Sequence, residues 1–508
     1  GLAQNNKRIE IQVRKNPDEY AIVPVGNEGV VAFAETEPGK IAFTHYDTLL
    51  TQTWTVESTY NRNLSLIDHV FYDNYLFLLF GAKKRAEYQV IRLSVTAGFA
   101  EKFDIYSLKD LDIGVFKALG NDLYLAAQNR KETILLHMNL ITRKSRILPS
   151  AFKGTTRIQS IEIDNNTRQV NVSFANNYRN EYKIIIKSYG IEGEQTKQSI
   201  IPSGKEKRLI TGKLTSLGNG EQWVIGTYGL GKGNSNSKEF TQGMYISKVN
   251  VGKESPVFNK YYSFTDFKNF FKFQSEKEQA RTQRRIEQNK KRGKDLKLEY
   301  RFLVHDVIEK NGEYIVVAEA YYPTYRNNNM NGFGSPYGFG SPFGFGNGFG
   351  LSFGNFYNPY GFYNPYGFGN RNNQIFDGFQ YTHAVVAGFD KDGKLLWDNV
   401  LELNDVKQFA LKELVKISFA NENIVLAYTI KGNLKSKIIK GNQVVEGKEN
   451  VAIESEFADD KVRKNQVSNI EYWYDNYFIA WGYQSIRNAQ NKEVRGTRNV
   501  LYCNKVAF

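Results

Sequence analysis

A single cysteine, Cys503, stands among 508 residues. The chain can therefore form no internal disulfide and offers neither a four-Cys nor a Cys/His zinc site. In its apolar last segment Cys503 reads as a small buried hydrophobe. Histidine is nearly as scarce, with His45, His69, His137, His305 and His383 the full set. No two of them share a metal-ligand spacing, and those inside strand patterns, such as His137 and His383, are expected to be satisfied structural groups. No run of about 18 apolar residues exists, which excludes a membrane-spanning helix from the sequence reading. A Gly-x-Ser-x-Gly elbow, a phosphate loop and a His-Glu-x-x-His pair are also missing. Asp390-x-Asp392-Gly393 has the start of a calcium loop without its remaining ligands or distal Glu, so a hairpin turn is the better reading. Acid pairs such as Asp459-Asp460 look like loop residues. The sequence thus nominates no catalytic, cofactor-binding or metal-binding residue, and a protein that is not an enzyme is expected.

Proline is sparse at 11, whereas Tyr (32) and Phe (35) are abundant. Aromatic and β-branched residues fit pleated, half-buried surfaces, so an all-β fold is favoured. A polar turn followed by an apolar-aromatic run recurs along the chain. Gly26-Asn27-Glu28-Gly29 precedes Val30-Val31-Ala32-Phe33, and Asp73-Asn74 precedes Tyr75-Leu76-Phe77-Leu78-Leu79-Phe80. Further copies begin at Gly120, Asp164, Asn219, Asn311, Asn421 and Asp475. Asn, Asp and Gly suit tight hairpins because they tolerate positive φ. The run after each turn is apolar on both faces, as an inner strand between neighbouring sheets requires. One short strand precedes each turn and two more follow, giving four per unit. The first turns fall at Gly26, Asp73, Gly120 and Asp164, intervals of 47, 47 and 44 residues.

That period of four-stranded units resembles the β-propeller superfamily. The resemblance covers residues 1–508 as a single domain of about eight blades, with seven the alternative and a stack of β-sandwiches the rival architecture. The last unit has only three strands of its own. Residues 7–14 alternate Ile9, Ile11 and Val13 with polar neighbours and are expected to supply its outer strand, closing the ring and removing an open edge. The hairpin from Gly388 to Trp397 resembles the Gly-x-x-x-Trp element of quinoprotein-like propellers, but it occurs once and carries no quinone site with it. WD dipeptide repeats and a sialidase Asp-box series are absent. The opening Gly1-Leu2-Ala3-Gln4 looks like the tail of a signal-peptidase site. Together with the Asn-, Lys- and Tyr-rich style, it resembles exported proteins of Bacteroidota.

Two insertions depart from the repeat. Residues 265–298 begin with four anchoring aromatics, Phe267, Phe270, Phe271 and Phe273. Ser275-x-x-Glu278 then forms a capping box that opens a helix, and Gly293 closes it. Between Ser275 and Lys297 lie nine basic and four acidic side chains. Arg281, Arg284, Arg285, Lys290, Lys291 and Arg292 are the candidate contacts to an anionic surface; the alternative is a solvated helix on the rim. Residues 326–377 are nearly free of charge and rich in Gly, Phe, Tyr and Asn. Ser335-Pro336-Tyr337-Gly338-Phe339-Gly340 is echoed by Ser341-Pro342-Phe343-Gly344-Phe345-Gly346, and Tyr357-Asn358-Pro359-Tyr360 by Tyr363-Asn364-Pro365-Tyr366. Dense aromatics supply contact area at low side-chain entropy cost. Phe339, Phe345, Tyr357, Tyr360, Tyr363 and Tyr366 are accordingly the candidate partner-binding residues, with a spacer or carbohydrate stacking as the other readings.

Net charge is +14, from 67 basic and 53 acidic residues, and part of the excess sits in the helical insertion. The expectation is a scaffold or interaction module of a bacterial cell-envelope complex, exported to the periplasm or cell surface and associated with the outer membrane. Other envelope proteins are its expected partners, with anionic lipid or lipopolysaccharide contact at the basic helix. A glycan-binding or glycan-active propeller is the alternative, and nucleic acid is the weakest candidate. A propeller can gather carboxylates in its central channel from distant blades, but no sequence feature singles them out.

Overall fold

The computed structural model describes residues 7–508 apart from 130–131, 151, 219, 233–237, 251, 328–373, 405 and 410. Eight antiparallel sheets follow one another around a ring, each with its first strand innermost. The second blade shows the plan. Ser65–Tyr72, Tyr75–Gly81, Glu87–Ser94 and Phe99–Tyr106 lie side by side from the axis outward. Its first turn is tight because Asp73 and Asn74 both adopt positive φ, 47° and 69°, the conformation that matches the twist of the flanking strands.

The run after each turn is the second strand of its blade, and it serves two interfaces. Leu76, Leu78 and Phe80 pack with the first blade's Phe33 and Ile41. Phe77 and Leu79, on the opposite face, pack with Phe116 and Leu123 of the third blade. Tyr124 and Ala126 face the fourth blade while Leu123 and Leu125 face back. The period-two alternation of a strand therefore divides one apolar run between two neighbouring sheets. That explains why the run shows no polar face in the sequence.

Closure joins the two ends of the chain. Lys7–Gln12 pairs antiparallel with Gly496–Ala507, from Lys7 opposite Lys505 to Gln12 opposite Val500. Val13 adds one more bond, N to Asn499 O at 3.0 Å, and Arg14 then turns to Asp18 and Glu35. Ladder pairing thus ends two residues short of the expected 7–14. In the sixth blade, Glu313–Asn327 pairs with Gln374–Phe389 out to Asn327 opposite Gln374, so the strands that flank the Gly-aromatic insertion meet as one long hairpin.

The innermost strands are irregular at one level. Register shifts fall between Leu66 and Asp68, between Ile113 and Val115, and between Ile158 and Ser160 in the second, third and fourth blades. In the fifth and sixth blades the inner strand is broken outright, into Lys207–Leu209 and Lys213–Gly218, and into Arg301–Val304 and Ile308–Lys310. Bulges of this kind re-aim side chains, and here the residues beside them face the axis.

Candidate functional site

A cavity of about 310 Å³ lies where the innermost strands converge. Seven blades line it, contributing Val23, Asp68 and His69, Lys117, Ser160, Asp306, Glu413, and finally Glu471 with Trp481. The charged members come from segments that are otherwise apolar. Asp68 and His69 follow the bulge of the second blade, and Lys117 sits between buried Phe116 and Ala118. His305 and Asp306 occupy the break after Val304.

Most of these charges are matched across blade boundaries. Lys213 Nζ of the fifth blade lies 3.3 Å from Asp306 Oδ1 of the sixth, and Lys416 Nζ of the seventh lies 3.3 Å from Glu471 Oε2 of the eighth. Glu319 is wholly buried and collects three donors. Its Oε1 is 2.9 Å from His305 Nε2 and accepts from Leu414 N and Val415 N at 2.8 and 2.7 Å. Glu413 approaches the other ring nitrogen of His305 at 4.0 Å. Lys412 Nζ donates to Asn469 Oδ1 at 2.7 Å. Such networks fix how adjacent blades sit against each other, since each buried charge must keep its partner.

Protonation follows from these surroundings. Burial pushes the Asp68 carboxyl up to about 8, against the smaller opposing pull of the His69 N–H and Lys117. Asp68 therefore carries a proton at neutral pH over most of its population. Burial alone takes His69 down to about 4, so its ring is neutral. Lys213 holds the Asp306 carboxyl down at about 2. Asp306 is 71% exposed yet surrounded by protein groups, as expected of a side chain projecting into channel water. Burial opposes the charge on His305 and on Lys416, but neighbouring carboxylates outweigh it and both rise above their ordinary values. Lys412, without a carboxylate at bonding distance among the described residues, is taken down by burial to about 8.

The helical insertion is built as an arm. Phe264, Phe267 and Phe270 are buried, and Phe271 and Phe273 pack beside them, in the apolar cluster shared by the fifth and sixth blades. Asp398 of the sixth blade accepts the N–H groups of Lys268 and Asn269, both at 2.8 Å. Ser275 caps the helix Glu276–Lys291, with both halves of its box formed with Glu278. Ile286 is the helix's one buried residue. Arg281, Arg284, Arg285, Lys290, Lys291 and Arg292 are all exposed, and among them Lys290 alone forms an ion pair with a described residue, reaching Asp266 at 2.9 Å. Phe339, Phe345, Tyr357, Tyr360, Tyr363 and Tyr366 lie outside the described residues.

Two histidines read from strand patterns differ from each other. His137 is satisfied, with Nε2 2.8 Å from Asp122 Oδ1. His383 is satisfied at Nδ1, 2.9 Å from Thr382 Oγ1, but its buried Nε2 has no partner among the described residues. Phe273 stacks on its ring, and Phe270, Tyr300 and Phe302 meet it edge-on. This apolar cage pushes His383 down to about 3, so the unmatched nitrogen remains neutral. The insertion that cages the ring comes from far along the chain, which is why local pattern did not reveal it. At the Asp390 turn, Asp390 Oδ1 accepts from Asp392 N and Lys394 N, both at 2.9 Å, as a hairpin requires. Trp397 donates its indole N–H to Glu313.

No protein-family model matches the chain, and no curated protein matches it in sequence. Solved structures resemble it only remotely. A polysaccharide lyase, Uly1, is 8% identical with a TM-score of 0.38, over 87% of this chain and 89% of that one. A functionally unknown protein from Desulfotomaculum acetoxidans is also 8% identical, with a TM-score of 0.39 over 85% and 99%. Kuenenia stuttgartiensis hydrazine synthase is 9% identical, with a TM-score of 0.35 over 72% and 73%. Likeness at this level assigns neither activity nor ligand.

Proposed function

We propose that this eight-bladed propeller is a non-enzymatic interaction module of a bacterial cell-envelope complex associated with the outer membrane. It holds partners through its blade faces and two attached arms. The observation that supports this reading is the helical arm, docked by phenylalanines on one side while five cationic side chains on the other have no ion-pair partner among the described residues. A helix needed only to cover an apolar patch would not require that charge. In the proposed role the cations meet the anionic headgroups of an envelope surface, and their attraction weakens as salt rises. The long hairpin of the sixth blade presents the Gly-aromatic insertion as a second arm for a protein partner.

The test is co-purification from native envelopes in mild detergent, with and without the arms. Loss of stable partners on replacing residues 328–373 by a short Gly-Ser linker supports the module. A monomer that brings down no stable partner in its unaltered form rejects it.

A further inference from the structure

We propose that the ring face from which both arms leave is a cationic docking surface for an anionic phospholipid bilayer, an inference that rests on the envelope role above and adds which side of the ring meets the membrane. Chain order places every loop on one face or the other. Each blade runs from its innermost strand outward, so its first and third turns lie on one face. Its second turn and the connection to the next blade lie on the opposite face. The hairpin of Glu313–Asn327 with Gln374–Phe389 joins the second and third strands of the sixth blade, and the helical arm connects Ser263 of the fifth blade to Arg301 of the sixth. Both arms therefore leave the same face.

The two faces differ in charge. First turns carry Glu28, Asp73, Asp164, Glu309, Glu422 and Asp475. Second turns, on the arm face, carry Lys84, Arg179, Lys232, Lys431, Lys492 and Arg495, all exposed and none in an ion pair with a described residue. Turn chemistry explains part of the first set, because Asp tolerates the positive φ seen at Asp73 and Asp475, 47° and 44°. It does not explain the second. Arg179 and Lys431 hold φ of 53° and 48°, where Asn, Asp or Gly is favoured; among the described first turns only Arg168 makes that exception. Cations spread over five blades at one level suit a plane rather than a compact ligand. A bilayer brings them together within the roughly 10 Å over which exposed charges act in 0.1 M salt. Glu454, Glu456 and Asp459, exposed between the seventh and eighth blades, make the attraction weakest there, so the sector from the second blade to the helical arm sits nearest the lipid.

The test uses the full chain with vesicles of phosphatidylcholine, pure or mixed with phosphatidylglycerol. The parent should bind the mixed vesicles and not the pure ones. Replacing Lys84, Arg179, Lys232, Lys431, Lys492 and Arg495 together by Gln, with the helix unaltered, should weaken binding by about fivefold or more and remove part of its salt dependence, while Tm stays that of the parent. Cys503 is buried, so a thiol-reactive, environment-sensitive fluorophore can be placed on either face. On Lys84→Cys its emission should shift when mixed vesicles are added; on Glu422→Cys, at a first turn, it should not. Unchanged binding in the Gln variant overturns the inference, as does equal binding to pure phosphatidylcholine or a shift at Glu422→Cys in place of Lys84→Cys. If only the helix cations matter, the broad face is rejected while the envelope role survives. Binding to soluble dextran sulfate without binding to vesicles assigns the face to a polyanionic glycan and overturns the bilayer. A parent that binds neither overturns it too, whereas the interaction role itself is decided by the co-purification.

Discussion

Lys213 and Asp306 face each other at 3.3 Å across the boundary between the fifth and sixth blades, yet Lys213 is 1% exposed and Asp306 is open to the channel. Burial lowers the lysine's pKa by more than its neighbours raise it, while the aspartate is held at about 2 by the lysine. The pair therefore stabilises the ring chiefly by giving an enclosed cation its counter-charge. Asp306→Asn should cost about 1–2 kcal/mol at neutral pH. That is less than the roughly 3–5 kcal/mol for breaking a fully enclosed pair, because water screens the Asp306 side. The depressed carboxyl pKa makes this contribution present above about pH 4, the unfolded value, and lost as pH falls through about 2. Melting curves from pH 7 to pH 2 check it: the stability gap between parent and variant should close in acid. Adding Lys213→Met to Asp306→Asn should recover most of the loss, since an apolar chain needs no counter-ion.

Ring closure depends on a second charged node. Glu10 accepts from Arg8 (Nη2 at 2.8 Å) and from Arg498 (Nε at 2.8 Å), and Arg498 also reaches Asp460 at 2.5 Å. Both Glu10 and Arg498 are nearly enclosed. Glu10→Ala leaves two guanidinium groups short of a partner and should cost about 2–4 kcal/mol by chemical denaturation. Removing residues 1–14 should do more, because it uncovers the edge of Gly496–Ala507. Aggregation or a large fall in Tm is expected, and a truncated chain that melts like the parent would count against closure by this strand.

Glu19 gives stability a slope with the opposite sign. Its carboxyl is buried where Leu66 N donates to it at 2.9 Å, and burial raises its pKa to about 8. Glu35 and Asp18 push in the same direction. A folded state that holds a proton more tightly than the unfolded chain is favoured fully below about pH 4 and loses that advantage as pH rises through about 8. Tm should therefore decline from pH 5 to pH 9. Glu19→Gln, which keeps an acceptor for Leu66 N, should flatten part of that decline; Asp68, also near 8, accounts for another part. A parent whose Tm is constant over this range would contradict the assignment.

Gly226 marks where the inner strand of the fifth blade breaks. A Cβ there would lie 2.0 Å from Thr211 O and 2.6 Å from Thr211 C. Backbone cannot step aside as a flexible side chain can, so Gly226→Ala should cost about 2–3 kcal/mol or more. Gly447→Ala, with nothing within 4 Å of the new methyl, is the control and should melt within about 0.5 kcal/mol of the parent. Equal melting of the two variants would show that the break is not a close backbone approach.

The ring was legible because one local pattern, a turn with positive φ before an apolar run, is repeated wherever a second strand lies between two neighbours. Asp73-Asn74 and Asp475 are read correctly for that reason, and the chain-end strand follows from counting three strands in the last unit. The channel was not legible, because its residues are assembled from seven separate blades. Lys117 between Phe116 and Ala118, or Asp68-His69 before Val70, looks like an isolated polar interruption in a strand. A signal existed in the fact that successive units each carry such an interruption a few residues before the turn. Aligning the units on their turns, rather than scanning for motifs along the chain, would have brought it out.

The helical arm should separate from the ring in stability measurements. Ile286 is the helix's one buried side chain and packs into the cluster held by Phe264, Phe270 and Phe302. Ile286→Asp places a charge in that cluster and should release the helix, with loss of helical circular dichroism and faster amide exchange across Glu276–Lys291. The phenylalanine base remains docked through Asp398, so the main unfolding transition should shift little. Replacing Arg281, Arg284, Arg285, Lys290, Lys291 and Arg292 by Gln should leave both the helix signal and Tm nearly intact, because these side chains face solvent. Binding to vesicles that contain anionic phospholipid should then weaken and lose most of its salt dependence. Unchanged vesicle binding in the Gln variant would leave the basic face as a solvated surface, and the proposed envelope contact would have to lie elsewhere on the ring.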